Sequence, residues 1–174
     1  MFSFPNPVNE KAARSVAAGV SLMCLSTIVL TLALGDAWVW LTVPLAYGFL
    51  ARVASGPTLS PLGQLATRVV APRLGRPRLV PGPPKRFAQL IGATFSVLAA
   101  VLGLGFGLDT AAVGLVAAIL VAAILESVFA ICVGCWIFGQ LMRIGVIPDS
   151  ACEACNDVTA HIGIAQPRSG TLAG

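Results

Sequence analysis

Four long runs of apolar residues dominate the chain, and short polar breaks or one longer polar segment separate them. The runs cover residues 15–34, 37–54, 87–108 and 111–138, and the last continues to about Met142. A helix that crosses a bilayer needs ~20 mostly apolar residues, so each run is long enough. The pattern predicts an all-α membrane protein with about four transmembrane helices, arranged as two hairpins.

The polar segment between the second and third runs is rich in proline, yet part of it has helical periodicity. Five of its apolar residues recur at helical spacing: Leu62, Leu65, Ala66, Val69 and Val70. This spacing predicts a short interfacial helix on the membrane surface, and an irregular proline-rich loop is the alternative. The chain then divides into a membrane domain, residues 1–142, and a cysteine-containing tail, residues 143–174.

Composition supports a membrane protein and argues against a soluble or nucleic-acid-binding one. Hydrophobic residues make up 57% of the 174 positions and charged residues 10%, whereas soluble domains carry about 25% charged residues. The net charge is +4, but the basic residues form no basic helix and no stretch interleaved with aromatics. We therefore expect membrane lipid and no nucleic acid among the partners.

The positions of the basic residues predict the orientation in the membrane. All eleven lie before the first run, at the end of the second, in the central segment or after the fourth, while the two short connections carry Asp36 and Asp109 instead. Cytoplasmic loops are enriched in Lys and Arg. We therefore expect a multi-pass protein of the plasma (inner) membrane, with both termini and the central segment in the cytoplasm.

Four of the five cysteines form two closely spaced pairs, Cys132 with Cys135 and Cys152 with Cys155. The spacing C-x2-C-x16-C-x2-C lies in the range typical of four-cysteine zinc sites. One hypothesis is therefore a metal-binding module that holds zinc or an iron centre through four thiolates. The alternative is that Cys132 and Cys135 are small packing residues, which the presence of two such pairs within 24 residues disfavours.

Thiol chemistry is the other hypothesis for these pairs. The predicted cytoplasmic location is reducing and disfavours a permanent disulfide, but transient redox chemistry or sulfur transfer fits it. On one continuous fourth helix Cys132 and Cys135 would share a face near the helix C-terminus. The helix dipole disfavours a thiolate there, so the sequence does not predict activation of Cys132 by its own helix.

Glu126, Cys24 and His161 are three further residues whose side chains could have a chemical role. Glu126 is the ionisable residue well inside a predicted span, where it could serve function or be a protonated carboxyl bonded to a neighbour such as Ser127 or Thr94. Cys24, alone in the first run, fits a packing role. His161 could ligate a metal, but a solvated histidine of the tail is the better interpretation.

Several motifs together resemble a bacterial integral membrane family that is catalogued only as a domain of unknown function. They are Ser60-Pro61-Leu62-Gly63, the run KRFAQLIG from Lys85 to Gly92, and Glu126-x-x-Phe129-x-x-Cys132-Val133-Gly134-Cys135. The resemblance covers roughly residues 6–141 and implies no established activity. It does imply thioredoxin-like or sulfurtransferase proteins as partners, and the tail pair lies beyond it.

The sequence thus leads first to a membrane thiol protein in redox or sulfur handling at the cytoplasmic face. Its two pairs would exchange disulfides with each other or with a soluble partner, and Glu126 would assist. The metal-binding module is the second hypothesis. The third is a non-enzymatic assembly or transport subunit, which with four spans would need to oligomerise to form a pore.

Overall fold

The computed structural model describes residues 6–148 and 151–152. Within this part, four helical stretches are long and apolar enough to cross a membrane. They are α1 (Glu10–Leu34), a 3-10 turn (Asp36–Leu41) leading into α2 (Thr42–Ser55), α5 (Gly82–Ala100) continued by a wider turn (Val101–Gly105), and α6 (Asp109–Phe129). The structure therefore contains four candidate spans, the number that the apolar runs predict.

The helices pack mainly with partners that are distant in the chain. The first helix lies against α6, and α2 lies against α5, while the consecutive pair α1 and α2 makes much less contact. The core between them includes Val20, Cys24, Leu45, Phe49 and Val116. Cys24 is fully buried there, which fits its predicted packing role.

Many large apolar side chains point away from this core, among them Leu22, Leu32, Tyr47 and Val121. In water such a surface would drive aggregation. In a bilayer the acyl chains solvate it, because lipid tails are as apolar as the side chains. The outward-facing apolar surface therefore matches the membrane location that the composition indicates.

The central segment contains three short helical pieces. It contains α3 (Pro61–Leu65), a π-helical turn (Ala66–Val70) and the short α4 (Ala71–Arg73). Ser60 begins α3 as its N-cap, its side chain accepting a hydrogen bond from the Gly63 N–H. After α4 the strand β2 (Leu79–Val80) pairs antiparallel with β1 (Val8–Asn9), which ties the segment to the start of α1.

The fourth helix ends earlier than predicted. A single helix over residues 111–138 is wrong, because α6 stops at Phe129 and a separate helix, α7 (Val133–Arg143), follows. Ala130 adopts the left-handed conformation, with φ 59°, and the Ile131 N–H bonds back to the Leu125 carbonyl. That geometry terminates a helix as a C-terminal glycine usually does.

A cation from the first helix stabilises this helix end. The Arg14 guanidinium donates hydrogen bonds to the Ser127 carbonyl, at 2.9 Å from Nη2, and to the Val128 carbonyl at 3.2 Å. The last carbonyls of a helix lack partners within the helix and carry partial negative charge. Arg14 therefore supplies both the donors and the charge that the end of α6 requires.

Candidate thiol site

The break after α6 places the first cysteine pair at the beginning of a helix. Cys132 is the N-cap of α7, and its Sγ accepts a hydrogen bond from the Cys135 backbone N–H at 3.3 Å. Both thiols are free and partly exposed. The expectation that the pair lies toward a helix C-terminus is wrong, because it assumed an unbroken fourth helix. A helix N-terminus favours a thiolate, so the helix dipole stabilises the Cys132 thiolate here instead of disfavouring it.

The surroundings of the pair shift the pKa values of the two thiols in opposite directions. A hydrogen bond from the Cys135 side chain lowers the pKa of the Cys132 thiol, and the Lys85 charge and the Cys135 N–H act in the same direction against burial and Glu126. The same hydrogen bond, together with burial, raises the pKa of Cys135. Cys132 is therefore the thiol poised to ionise, and Cys135 is the proton donor that supports it.

A buried ion pair lies beside the thiols. Lys85, near the start of α5, donates through Nζ to the Oε1 of Glu126 near the end of α6. The side chains are only 11% and 15% exposed. The predicted alternatives of a protonated Glu126 bonded to Ser127 or Thr94 are not what the structure contains. The sequence predicts Lys85 in the central segment, before the apolar run that starts at Phe87, whereas α5 begins at Gly82 and includes it.

Cys132 and Glu126 also face a cavity of about 270 Å³ between α1, α5, α6 and α7. Its other walls are almost entirely apolar, for example Val20, Phe95 and Ile119. The volume is at the lower end of that of small-molecule pockets. The thiol therefore lies at the polar end of an apolar recess rather than on an open polar surface.

The short helix α7 is held against α5 by close contact at the cysteine motif. Gly134, between the two cysteines, is buried. A Cβ added there would lie 2.6 Å from the Ala88 Cα of α5. One turn further on, the Phe138 ring packs edge-on against Phe87, with centroids 5.6 Å apart. The glycine of the Cys-Val-Gly-Cys motif thus permits the approach that positions both thiols.

We expect Gly134→Ala to displace α7 and lower stability by about 1–3 kcal/mol, the range for forcing atoms into a packed contact. Gly139→Ala is the matched control, because it lies on the same helix with open space around it. There the added methyl should stabilise the helix by about 0.5–1 kcal/mol. Thermal unfolding in detergent would check both, and equal effects of the two substitutions would contradict the close-contact explanation.

The second cysteine pair is only partly within the described residues. Cys152 is disulfide-bonded, whereas Cys24, Cys132 and Cys135 are free. Cys155 and His161 lie outside the described residues. In the described part of the chain, no group of three or more His, Cys, Asp or Glu side chains is arranged to hold a metal ion. The four-thiolate site stays a prediction, and Cys152 would need to be reduced before it could ligate.

Two buried cations of the candidate sites are not predicted from the sequence as site residues. Lys85 and Arg52 count there among the basic residues of the cytoplasmic side, yet both are buried. A signal was available for Arg52, since a residue of an apolar span that carries charge is a functional candidate. Lys85 follows three prolines within five residues, which conceals the start of α5.

The comparison with protein families is decisive for the classification. The model of the family described as a domain of unknown function, DUF4395, matches residues 8–143. The chain belongs to this family. The DUF4395 match includes the four spans, the ion pair and the whole of α7, and it ends before Cys152. Comparison with curated proteins and with solved structures gave no match.

Proposed function

We propose that this DUF4395 protein is a membrane thiol protein that exchanges disulfides through Cys132, with Cys135 as the resolving thiol. The observation that carries the proposal is the position of Cys132 at the N-terminus of α7, where its sulfur accepts the Cys135 N–H. A reactive cysteine needs its thiolate form, partial exposure and a second thiol within reach. The arrangement supports all three requirements.

The exchange proceeds in two displacements. The Cys132 thiolate attacks one sulfur of a partner disulfide, the partner's S–S bond breaks, and its other sulfur leaves as a thiolate. Cys135 then loses its proton to that thiolate and attacks Cys132 Sγ, which forms the Cys132–Cys135 disulfide and releases the second partner thiol. The partner gains two electrons and the pair loses two, and the reverse direction uses the same steps.

The second cysteine pair and soluble partner proteins also take part in the proposed exchange. Cys152 and Cys155 would exchange with the membrane-side pair or with a thioredoxin-like or sulfurtransferase protein. Cys152 is disulfide-bonded whereas Cys132 and Cys135 are free, and this difference supports separate roles for the two pairs. Glu126 acts through its ion pair with Lys85, which places a positive charge near the Cys132 sulfur.

Trapping of mixed disulfides tests the proposal. Cys135→Ser removes the resolving thiol, so Cys132 should accumulate a covalent adduct with a protein or a small thiol, visible on non-reducing gels and by mass spectrometry. Cys24→Ser is the matched control and should accumulate none, because Cys24 is fully buried. If Cys135→Ser captures nothing while the purified protein carries the Cys132 thiol intact, disulfide exchange at this site is excluded.

For the location, we propose a multi-pass protein of the plasma (inner) membrane with both termini and the central segment in the cytoplasm. The two pairs of spans would then form hairpins whose turns face outward, and residues 61–73 would lie along the membrane surface. The distribution of all eleven basic residues supports this orientation. In the trapping experiment the captured partners should then be cytoplasmic, and exclusively extracytoplasmic partners would reverse the orientation.

A further inference from the structure

A second cavity, of about 280 Å³, lies at the end of the bundle where α1 begins and α2 ends. Its walls include Asn9, Gly56 and Gln89 and two cationic side chains, Arg52 and Lys85. None of the described residues that line it is acidic. The cavity is therefore a half-open space with a mostly apolar lining, and both of its charged groups are positive.

Arg52 has an incomplete set of hydrogen bonds in this cavity. Its Nε donates to the Gln89 Oε1 at 2.8 Å, and its Nη1 donates to the Ser60 hydroxyl at 3.2 Å. The guanidinium also lies over the Phe49 ring, 4.6 Å from the centroid. Nη2 is buried and has no hydrogen-bond partner among the described residues. Among the described residues, its hydrogen bonds and ring contact are thus all with neutral groups, and both N–H donors of Nη2 are unused.

No carboxylate of the described residues is in contact with Arg52. Ion pairs that join described residues include Arg78 with Glu10 and Lys85 with Glu126, and neither involves Arg52. The Glu126 charge attracts the Arg52 guanidinium from a distance, but Glu126 makes its ion pair with Lys85 and none with Arg52. A buried cation with no counter-ion in contact is disfavoured, above all within a membrane span. A complementary anion from outside the chain would supply a counter-ion in contact with Arg52 and an acceptor for its Nη2.

We propose that this cavity binds a phosphate-type oxyanion, held by Arg52 and assisted by Lys85. A guanidinium presents planar paired donors that match phosphate oxygens, and the ammonium adds a compact charge. The cavity lies beside the N-cap of α1 at Asn9 and the C-cap of α2 at Gly56, which is where these spans end. Two sources share this chemistry, the phosphate of an anionic lipid head group and a free inorganic oxyanion.

The test measures thermal unfolding of delipidated protein in neutral detergent. One arm adds sodium phosphate, with sodium chloride at the same ionic strength as its reference. The other adds phosphatidylglycerol, with phosphatidylcholine as its reference. Stabilisation by phosphate that saturates assigns a free oxyanion, and stabilisation by phosphatidylglycerol alone assigns a lipid head group. We expect an increase of several degrees in one arm.

Matched variants connect any stabilisation to Arg52. Arg52→Gln should lose it, and Arg68→Gln should keep it, since Arg68 is an exposed arginine of the central segment. If Arg52→Gln does not fold, Arg52→Lys retains the charge without the paired donors and should weaken binding at least tenfold, measured with radiolabelled phosphate and by lipid retention in native mass spectrometry. The proposal is overturned if neither probe stabilises the wild-type protein, or if the Arg52 variants bind as the wild type does.

Discussion

Replacing Glu126 with alanine should destabilise the protein by about 3 kcal/mol, near the lower end of the range for removing one partner of a buried ion pair. The lower end applies because both side chains keep a small exposed fraction. The substitution leaves the Lys85 ammonium buried without a counter-charge, and its desolvation is then uncompensated. Thermal unfolding in detergent should show a decrease of roughly 6–12 °C for a chain of this size.

Two matched variants identify the cause of this effect. Arg78→Ala removes the other ion pair of the described residues, but Arg78 is 77% exposed, so the change should remain within about 1 kcal/mol. The double variant Lys85→Met with Glu126→Leu removes both charges and should recover most of the stability. A loss in the double variant as large as in Glu126→Ala would mean that packing, rather than the unpaired charge, determines the effect.

Cys132 should react with iodoacetamide at pH 7 at least tenfold faster than Cys135. Only the thiolate is nucleophilic, and the pKa of Cys132 is lowered while that of Cys135 is raised. The rate at Cys132 should increase with pH and level off at a midpoint below about 8.5, the value of a free cysteine. The measurement is alkylation followed by mass spectrometry, with Cys24, Cys152 and Cys155 replaced by serine.

Substitutions in the Lys85–Glu126 ion pair test the cause of this difference in alkylation rate. Lys85→Met should move the Cys132 midpoint to higher pH, because it removes a favourable charge and leaves Glu126 to oppose the thiolate. Glu126→Gln should move it to lower pH for the opposite reason. A structural role alone would change stability without these opposite displacements. Equal rates at Cys132 and Cys135, or a midpoint unaffected by both substitutions, would contradict the proposed activation.

The spans could be predicted because they depend on composition over about twenty residues, which hydropathy measures directly. The end of α6 could not. The chain remains apolar from Ala111 to Met142, and the residue that terminates the helix is Ala130, not the glycine or asparagine that usually marks such a position. The stabilising group, Arg14, lies 113 residues from the Ser127 carbonyl that it bonds. No local pattern contains that information.

The charges of the candidate sites were visible in the sequence, but their environments were not. The sequence predicts Arg52 near the end of a span and Lys85 just before an apolar run, where both count only as basic residues that set the orientation. Their burial results from the packing of α2 against α5 and of α5 against α6. The cysteine motif was located by its spacing, whereas its activation depends on which end of a helix it occupies.

The Lys85–Glu126 ion pair connects the two cavities, because Glu126 lines the cavity beside Cys132 and Lys85 lines the cavity beside Arg52. An anion beside Lys85 would compete with Glu126 for the same ammonium, so occupancy of one cavity changes the charge experienced at the other. Thermodynamic linkage makes such an effect reciprocal. Oxidation of the thiol pair and occupancy of the anion cavity are then coupled variables, and the redox state of the protein would depend on the membrane or solution in which it is measured.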